Sequence, residues 1–142
     1  LSGVPAIYYG DEIGLLGGRD PDCRKTFNWD ESQWMTPLRD WIKKLIRYRK
    51  DKVALRRGRF KLLNTEPCNN YVAFARVIEN ECGLTVINFE NTPSEVTLDL
   101  SGTPLATHKS LRNVLSTEEY IVLDQKITLK LSALSGVLLF PY

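Results

Sequence analysis

The chain has 142 residues, 43% of them hydrophobic and 25% charged, with a formal net charge of +2. That is an ordinary globular balance, and so small a net charge argues for neither a nucleic acid nor a membrane surface as partner. The longest apolar runs, such as GVLLF, are far too short to span a bilayer, and LSGVPAIYY lacks the charged n-region of a secretory signal.

The first element is GVPAIYYGDEIG, Gly3 to Gly14. Val4, Ala6 and Tyr8 alternate with Pro5, Ile7 and Tyr9, and both sets are largely apolar. The spacing predicts a strand over 3–9 buried on both faces, which needs parallel neighbours on either side. A long polar connection rich in glycine follows over 10–35, a length more often functional than idle. The helix comes next. Thr36 is its expected N-cap and Pro37 its first helical residue. Leu38, Trp41, Ile42, Leu45 and Ile46 then form one apolar stripe, and the helix ends near Lys50 or Lys52. Its other side belongs to a basic run, KKLIRYRKDKVALRRGRFK, offset by seventeen acids over the whole chain.

From Arg59 the hydrophobic period changes to two. RFKLL, YVAFARV, GLTVINF, SEVTLDL, SLRNVL, EEYIVL, KITLKL and SGVLLFPY are strand candidates at the spacing of an antiparallel sandwich. EPCNN, ENEC, ENTPS, SGTP and SALSG are the turns between them. In KITLKL, Ile127, Leu129 and Leu131 alternate with Lys126, Thr128 and Lys130, so one face is wet. Phe74, Phe89 and Phe140 read as sandwich core. The expected architecture is mainly β. Residues 1–52 are the last βα unit of a (β/α)8 barrel, incomplete alone, and 53–142 are an antiparallel β-sandwich.

Three cysteines, Cys23, Cys68 and Cys82, cannot all pair within one chain. They read as reduced thiols of a cytoplasmic protein, or Cys68 and Cys82 bridge a hairpin. None lies in a CxxC and no histidine is near them, so metal-ligand spacing is absent. No motif calls for a cofactor. His108, the only histidine, lies in the turn-like THKSLRN and reads as a surface residue.

GVPAIYYGDEIG followed by GGRDPDCRKTFNWDE closely resembles the end of the catalytic barrel in the α-amylase family, glycoside hydrolase family 13. The resemblance is strongest to its neopullulanase, cyclomaltodextrinase and maltogenic amylase branch. DWIKKLIRYRKDKVALRRGRF resembles the family's last barrel helix, which leads into a β-sandwich called domain C. One departure is KTFNW, residues 25–29, where many relatives carry a proline and a methionine. The resemblance implies hydrolysis of α-glucosidic bonds with retention, on starch, maltodextrin or cyclodextrin. It implies an aspartate nucleophile, a glutamate acid/base and a stabilising aspartate on earlier barrel strands. None of those motifs is in this sequence, so the 142 residues alone are expected to be inactive, with no catalytic residue and no metal site among them.

Asp11 and Glu12 do not substitute. Retaining chemistry needs two carboxyl groups about 5–5.5 Å apart across one bond, whereas neighbours on a strand point to opposite faces. They are expected to bond loop N–H groups. Asp20 and Arg24 differ: in DPDCR they stand on a loop leaving the C-terminal end of a barrel strand, where such active sites are built. A carboxylate and a guanidinium fork can together grip a glucose unit, as the matching pair does in that branch. The other reading is an ion pair shaping the turn at Pro21. Asp22 and Cys23 get no role. Trp41 reads as core, Trp29 as packing rather than a sugar platform, and Trp34 is undecided.

The expected partner is thus an α-glucan oligosaccharide in the intact enzyme, with no nucleic acid and no membrane. The alternative is an independent carbohydrate-binding or interaction β-sandwich. The isolated chain, with its strand edges and helix stripe uncovered, is expected to self-associate or to fold the helix back on the sandwich.

Overall fold

The computed structural model describes residues 3–63, 70–79 and 81–142. Between Asp51 and Lys52 it divides into two compact units.

In the first unit, residues 3–9 are not a strand, contrary to the sequence expectation. A strand exists through ladder bonds to a neighbour, and no described segment pairs with this one. Helix α1, Thr36–Asp51, forms as its stripe requires. The Met35 carbonyl accepts from the Arg39 N–H at 3.1 Å, so Met35 fills the cap position given above to Thr36. Pro37 still lies in the first turn, where its missing N–H costs nothing. Trp41 is corrected: it is 43% exposed rather than core, and Leu45 and Ile46 are about as open. The helix packs chiefly on the short turn Asp11–Ile13, too small a surface to cover the stripe.

Lys52 is extended and opens the second unit. Val53–Arg57 then form a second short helix, α2, for which the sequence reading had no element. The eight strand candidates all form: β1 Arg59–Leu62, β2 Tyr71–Ile78, β3 Glu81–Asn88, β4 Ser94–Asp99, β5 Ser110–Asn113, β6 Glu119–Leu123, β7 Lys126–Leu131 and β8 Gly136–Pro141. They make one antiparallel sheet in the order β1-β2-β3-β8-β5-β6-β7-β4. It curls on itself, so the layers of the expected sandwich are one continuous sheet. The curl brings its two end strands together: Lys61 Nζ on β1 donates to the Gly102 carbonyl just past β4 at 2.8 Å.

The core lies inside the curl. Ala73, Ala75, Leu84, Val86 and Leu139 from one side meet Val96, Leu98, Leu111, Ile127, Leu129 and Leu131 from the other. The register sets this face: Leu84 stands opposite both Ala75 and Leu139. β7 alternates buried and exposed as its sequence predicts. The short 3-10 turn Pro104–Thr107 adds fully buried Leu105.

β2 and β8 are also buried on the outer face, at Phe74, Leu138 and Phe140. Phe74 and Phe140 are therefore buried, but behind the main cluster rather than in it. Phe60 stacks on Phe74 with ring centroids 5.1 Å apart, and Lys52 Nζ lies 4.7 Å from the Phe140 ring centre. Phe89, expected in the core, is 61% exposed. Asn88 points inward, so its neighbour on the strand points out. α2 is pinned to this face. The Ala54 N–H donates to Glu81 Oε1 at 2.6 Å. Gly58 leaves room for β2, since a Cβ there would lie 2.6 Å from the Ala54 carbonyl and 2.9 Å from the Val77 nitrogen.

Two buried asparagines tie turns together. Asn88 Nδ2 donates to the Thr92 and Ser132 carbonyls, both at 2.9 Å, and its Oδ1 accepts from the Glu90 N–H. Asn113 Oδ1 accepts from the N–H groups of Leu115 and Leu138. Among the described residues, no buried side-chain polar atom lacks a partner.

Cys82 is a buried free thiol and Cys23 an exposed one. Cys68, the alternative partner of Cys82, lies outside the described residues, as does most of the turn EPCNN. Burial pushes the Cys82 thiol from 9.0 up to about 11, against a smaller lowering by the Leu105 backbone. The thiolate is the reactive form. In a Cys68→Ser background, iodoacetamide at pH 8 should therefore modify Cys23 readily and Cys82 only as fast as the domain unfolds. Comparable rates by mass spectrometry would contradict this packing. The linkage sign follows from the same shift. Cys82 contributes its stability below pH 9 and loses it as pH rises toward 11.

Gly83 gives a sharper test of the outer face. A Cβ on it would stand 2.6 Å from Phe140 Cζ, inside a nearly buried ring. Gly83→Ala should cost about 1–3 kcal/mol in urea unfolding, and adding Phe140→Leu should recover part of that. A neutral Gly83→Ala would show that the ring does not lie there.

Candidate functional site

The polar connection starts on Gly10, whose φ of 94° lies in the left-handed region that favours glycine. The chain then makes a 3-10 turn over Asp11–Ile13. Two carboxylates fix that turn: Asp11 Oδ2 accepts from the Tyr8 N–H at 3.0 Å, and Glu12 Oε2 from the Gly10 N–H at 2.9 Å. Both side chains do the backbone capping expected of them. Ile13 is buried and its carbonyl accepts from the Met35 N–H at 3.0 Å, which brings the far end of the connection back to its start.

Between these anchors a loop projects. Its tip carries Asp20, Pro21 and the 3-10 turn Asp22–Arg24, closed by Asp22 N–H to the Arg19 carbonyl and Arg24 N–H to the Pro21 carbonyl. The structure brings Asp20 and Arg24 together: Arg24 Nη2 donates to Asp20 Oδ2 at 3.0 Å, with side chains 72% and 62% exposed. An ion pair that open contributes little, typically about 0–1 kcal/mol. It shapes the turn, and its solvent-facing atoms leave carboxylate lone pairs and guanidinium donors open to a hydroxyl-rich ligand. The loop's base is held from below. Tyr9 OH donates to the Lys25 carbonyl at 2.8 Å, and Lys25 Nζ to the Leu16 carbonyl at 3.4 Å.

The aromatic residues gather beside this base. Phe27 meets Trp29 and Trp34 edge-on, at centroid distances of 4.7 and 5.9 Å. Trp34 Nε1 donates to the Asn28 carbonyl at 2.7 Å, and the Arg39 guanidinium lies 4.6 Å from its ring centre. With Tyr9, Glu12 and Ile13 these residues line an open depression of about 470 Å³. Trp29 is 80% exposed, which overturns its reading as buried packing. Its ring meets Phe27 in a T-shaped contact at the rim. Asp30 caps the next turn, accepting from Ser32 through Oγ–H and N–H. Those two bonds hold its carboxyl below the usual carboxylate range.

Among the described residues no three His, Cys, Asp or Glu side chains cluster as a metal site would require. No described helix is long and apolar enough to cross a membrane. Sequence reasoning singled out Asp20 and Arg24, which the structure pairs with each other, and the backbone-bonding role of Asp11 and Glu12. It missed Tyr9 as a clamp, because a hydroxyl reaching a carbonyl sixteen residues away has no local pattern.

The comparisons with known proteins agree with one another. The chain is 38% identical over 120 residues to a cyclomaltodextrinase of Geobacillus thermopakistaniensis, covering 84% of this chain and 20% of that protein. It is 32% identical over 138 residues to neopullulanase 2 of Thermoactinomyces vulgaris, covering 97% and 23%. A solved structure of a cyclomaltodextrinase superposes with a TM-score of 0.85 at 28% identity, covering 96% of this chain and 23% of that one. The chain thus spans about a fifth of the length of the curated relatives it matches. No protein-family model matches it. These matches define a member of the α-amylase family of glycoside hydrolases, and the chain belongs to that family. Within it the chain falls in the branch of cyclomaltodextrinases, neopullulanases and maltogenic amylases, and its curled sheet matches the family's C-terminal β-domain.

Proposed function

We propose that this chain is the C-terminal part of a retaining α-glucan hydrolase, and that its own role in the reaction is to bind substrate. The observation that carries the reading is the exposed Asp20–Arg24 pair on a loop clamped at its base, in a chain related to cyclomaltodextrinase and neopullulanase. Residues 1–52 complete a catalytic barrel, and 53–142 form the β-domain appended to it. The substrate is starch, maltodextrin or cyclodextrin, and the enzyme is cytoplasmic and needs no cofactor from this part of the chain.

The chemistry divides accordingly. A retaining glycosidase needs two carboxyl groups flanking one bond, one as nucleophile and one as acid/base. Asp11 and Glu12 are committed to backbone N–H groups, and Asp20 is paired with Arg24 at an open loop tip. None is placed for that work, so the catalytic carboxylates lie outside these residues. Asp20 accepts from sugar hydroxyls and Arg24 donates its fork to them, holding a glucose unit beside the bond to be cut. Such contacts help most when they keep the reacting atoms aligned.

Two outcomes follow. The purified 142-residue chain should release no reducing ends from starch, pullulan or cyclodextrin. Turnover that survives repurification and disappears in Glu12→Gln would contradict the division of labour. In the enzyme expressed from the complete reading frame, Arg24→Ala should lower kcat/KM on maltotriose and β-cyclodextrin about ten- to a hundred-fold. That is the loss of a charge-assisted hydrogen bond. Unchanged kinetics would remove the pair from the substrate site.

A further inference from the structure

We propose that Tyr9 is a positioning residue for the substrate loop: its hydroxyl clamps the Lys25 carbonyl and thereby sets where Asp20 and Arg24 stand. This deepens the substrate-contact reading and rests on it.

The geometry is a closed loop with one latch. Lys25 directly follows the turn Asp22–Arg24. Its carbonyl accepts from Tyr9 OH at 2.8 Å, and its ammonium donates to the Leu16 carbonyl at 3.4 Å. Lys25 is therefore tied at once to the apolar segment before Gly10 and to the start of the loop. The tip between Leu16 and Lys25 has only local bonds of its own: Asp22 to Arg19, Arg24 to Pro21, and the Arg24–Asp20 pair. Those bonds give the tip its shape but do not say where it points. The fold offers one other fixed point nearby, the capped turn at Gly10–Glu12, and Tyr9 is joined to it through the backbone. Tyr9 thus transfers the position of that turn to the loop tip across sixteen residues. Lys25 contributes only its main chain to the latch. Its side-chain identity is secondary, and the phenol carries the effect.

The hydroxyl of Tyr9 can be removed without its ring. Tyr9→Phe removes the latch and keeps the ring in the depression it shares with Phe27 and Trp29. In the enzyme from the complete reading frame, Tyr9→Phe should raise KM for maltotriose about two- to tenfold, the range of one lost hydrogen bond, with kcat held. In an Arg24→Ala background the same change should do nothing further, because Tyr9 acts through that pair. A merely structural role would instead lower Tm and reduce activity in both backgrounds. The loop itself provides an independent readout in the 142-residue chain. Hydrogen exchange at the Asp22 and Arg24 amides should quicken severalfold in Tyr9→Phe, while the amides of β2 and β3 stay as they were. Exchange at 22 and 24 that does not change would overturn the latch. Faster exchange there, with Arg24→Ala kinetics unaltered, would uphold the latch and reject the substrate contact instead.

Discussion

Asp11 and Glu12 each hold a backbone N–H at the turn that follows the apolar segment, Asp11 that of Tyr8 and Glu12 that of Gly10. This constraint governs the first fifty residues. With that turn fixed, Ile13 is buried, its carbonyl receives Met35, and the connection returns to the head of α1. Tyr9, one residue upstream, is held in place to reach Lys25. The clamp at the loop base and the return of the connection to α1 both start from this turn. The paired Asp11 and Glu12 thus serve as a scaffold for the loop that follows them.

The second unit follows a different logic. Its sheet must hide two faces at once near β2, β3 and β8. The inner face is served by the curl, which puts aliphatic side chains from both ends of the sheet against each other. The outer face is served by Phe74, Leu138 and Phe140, with a glycine at position 83 giving the ring its room. α2 is held on these strands by a backbone-to-carboxylate bond to Glu81 and by the absence of a side chain at Gly58. β4 and β7 each keep one wet face, where Thr97 and Thr128 bond across the ladder and Lys130 approaches Glu95.

Much of this was legible in the sequence where the signal is periodic. Eight period-two runs became eight strands, and the stripe from Leu38 to Ile46 became α1. The capping role of Asp11 and Glu12 was legible too, because short acidic side chains beside glycine seek local N–H groups. Features set by distant partners were not. The segment 3–9 has a strand's composition, yet composition does not supply a ladder. Trp29 and Trp41 have core-like side chains, and their exposure depends on what lies against them rather than on their own chemistry. α2 is five residues long, shorter than any reliable periodicity, and it depends on Glu81 twenty-seven residues away. Asn88 and Asn113 fall inside strand candidates with nothing in the sequence to mark them as buried, and their burial comes from bridging turns that the curl brings together.

The central claim is that the loop tip grips the glucan, and a structure of the complete enzyme with a non-hydrolysable maltooligosaccharide tests it directly. The account predicts sugar hydroxyls within hydrogen-bond distance of both Asp20 and Arg24, with the Lys25 carbonyl still held by Tyr9. A bound oligosaccharide that leaves Asp20 and Arg24 touching only each other would contradict it.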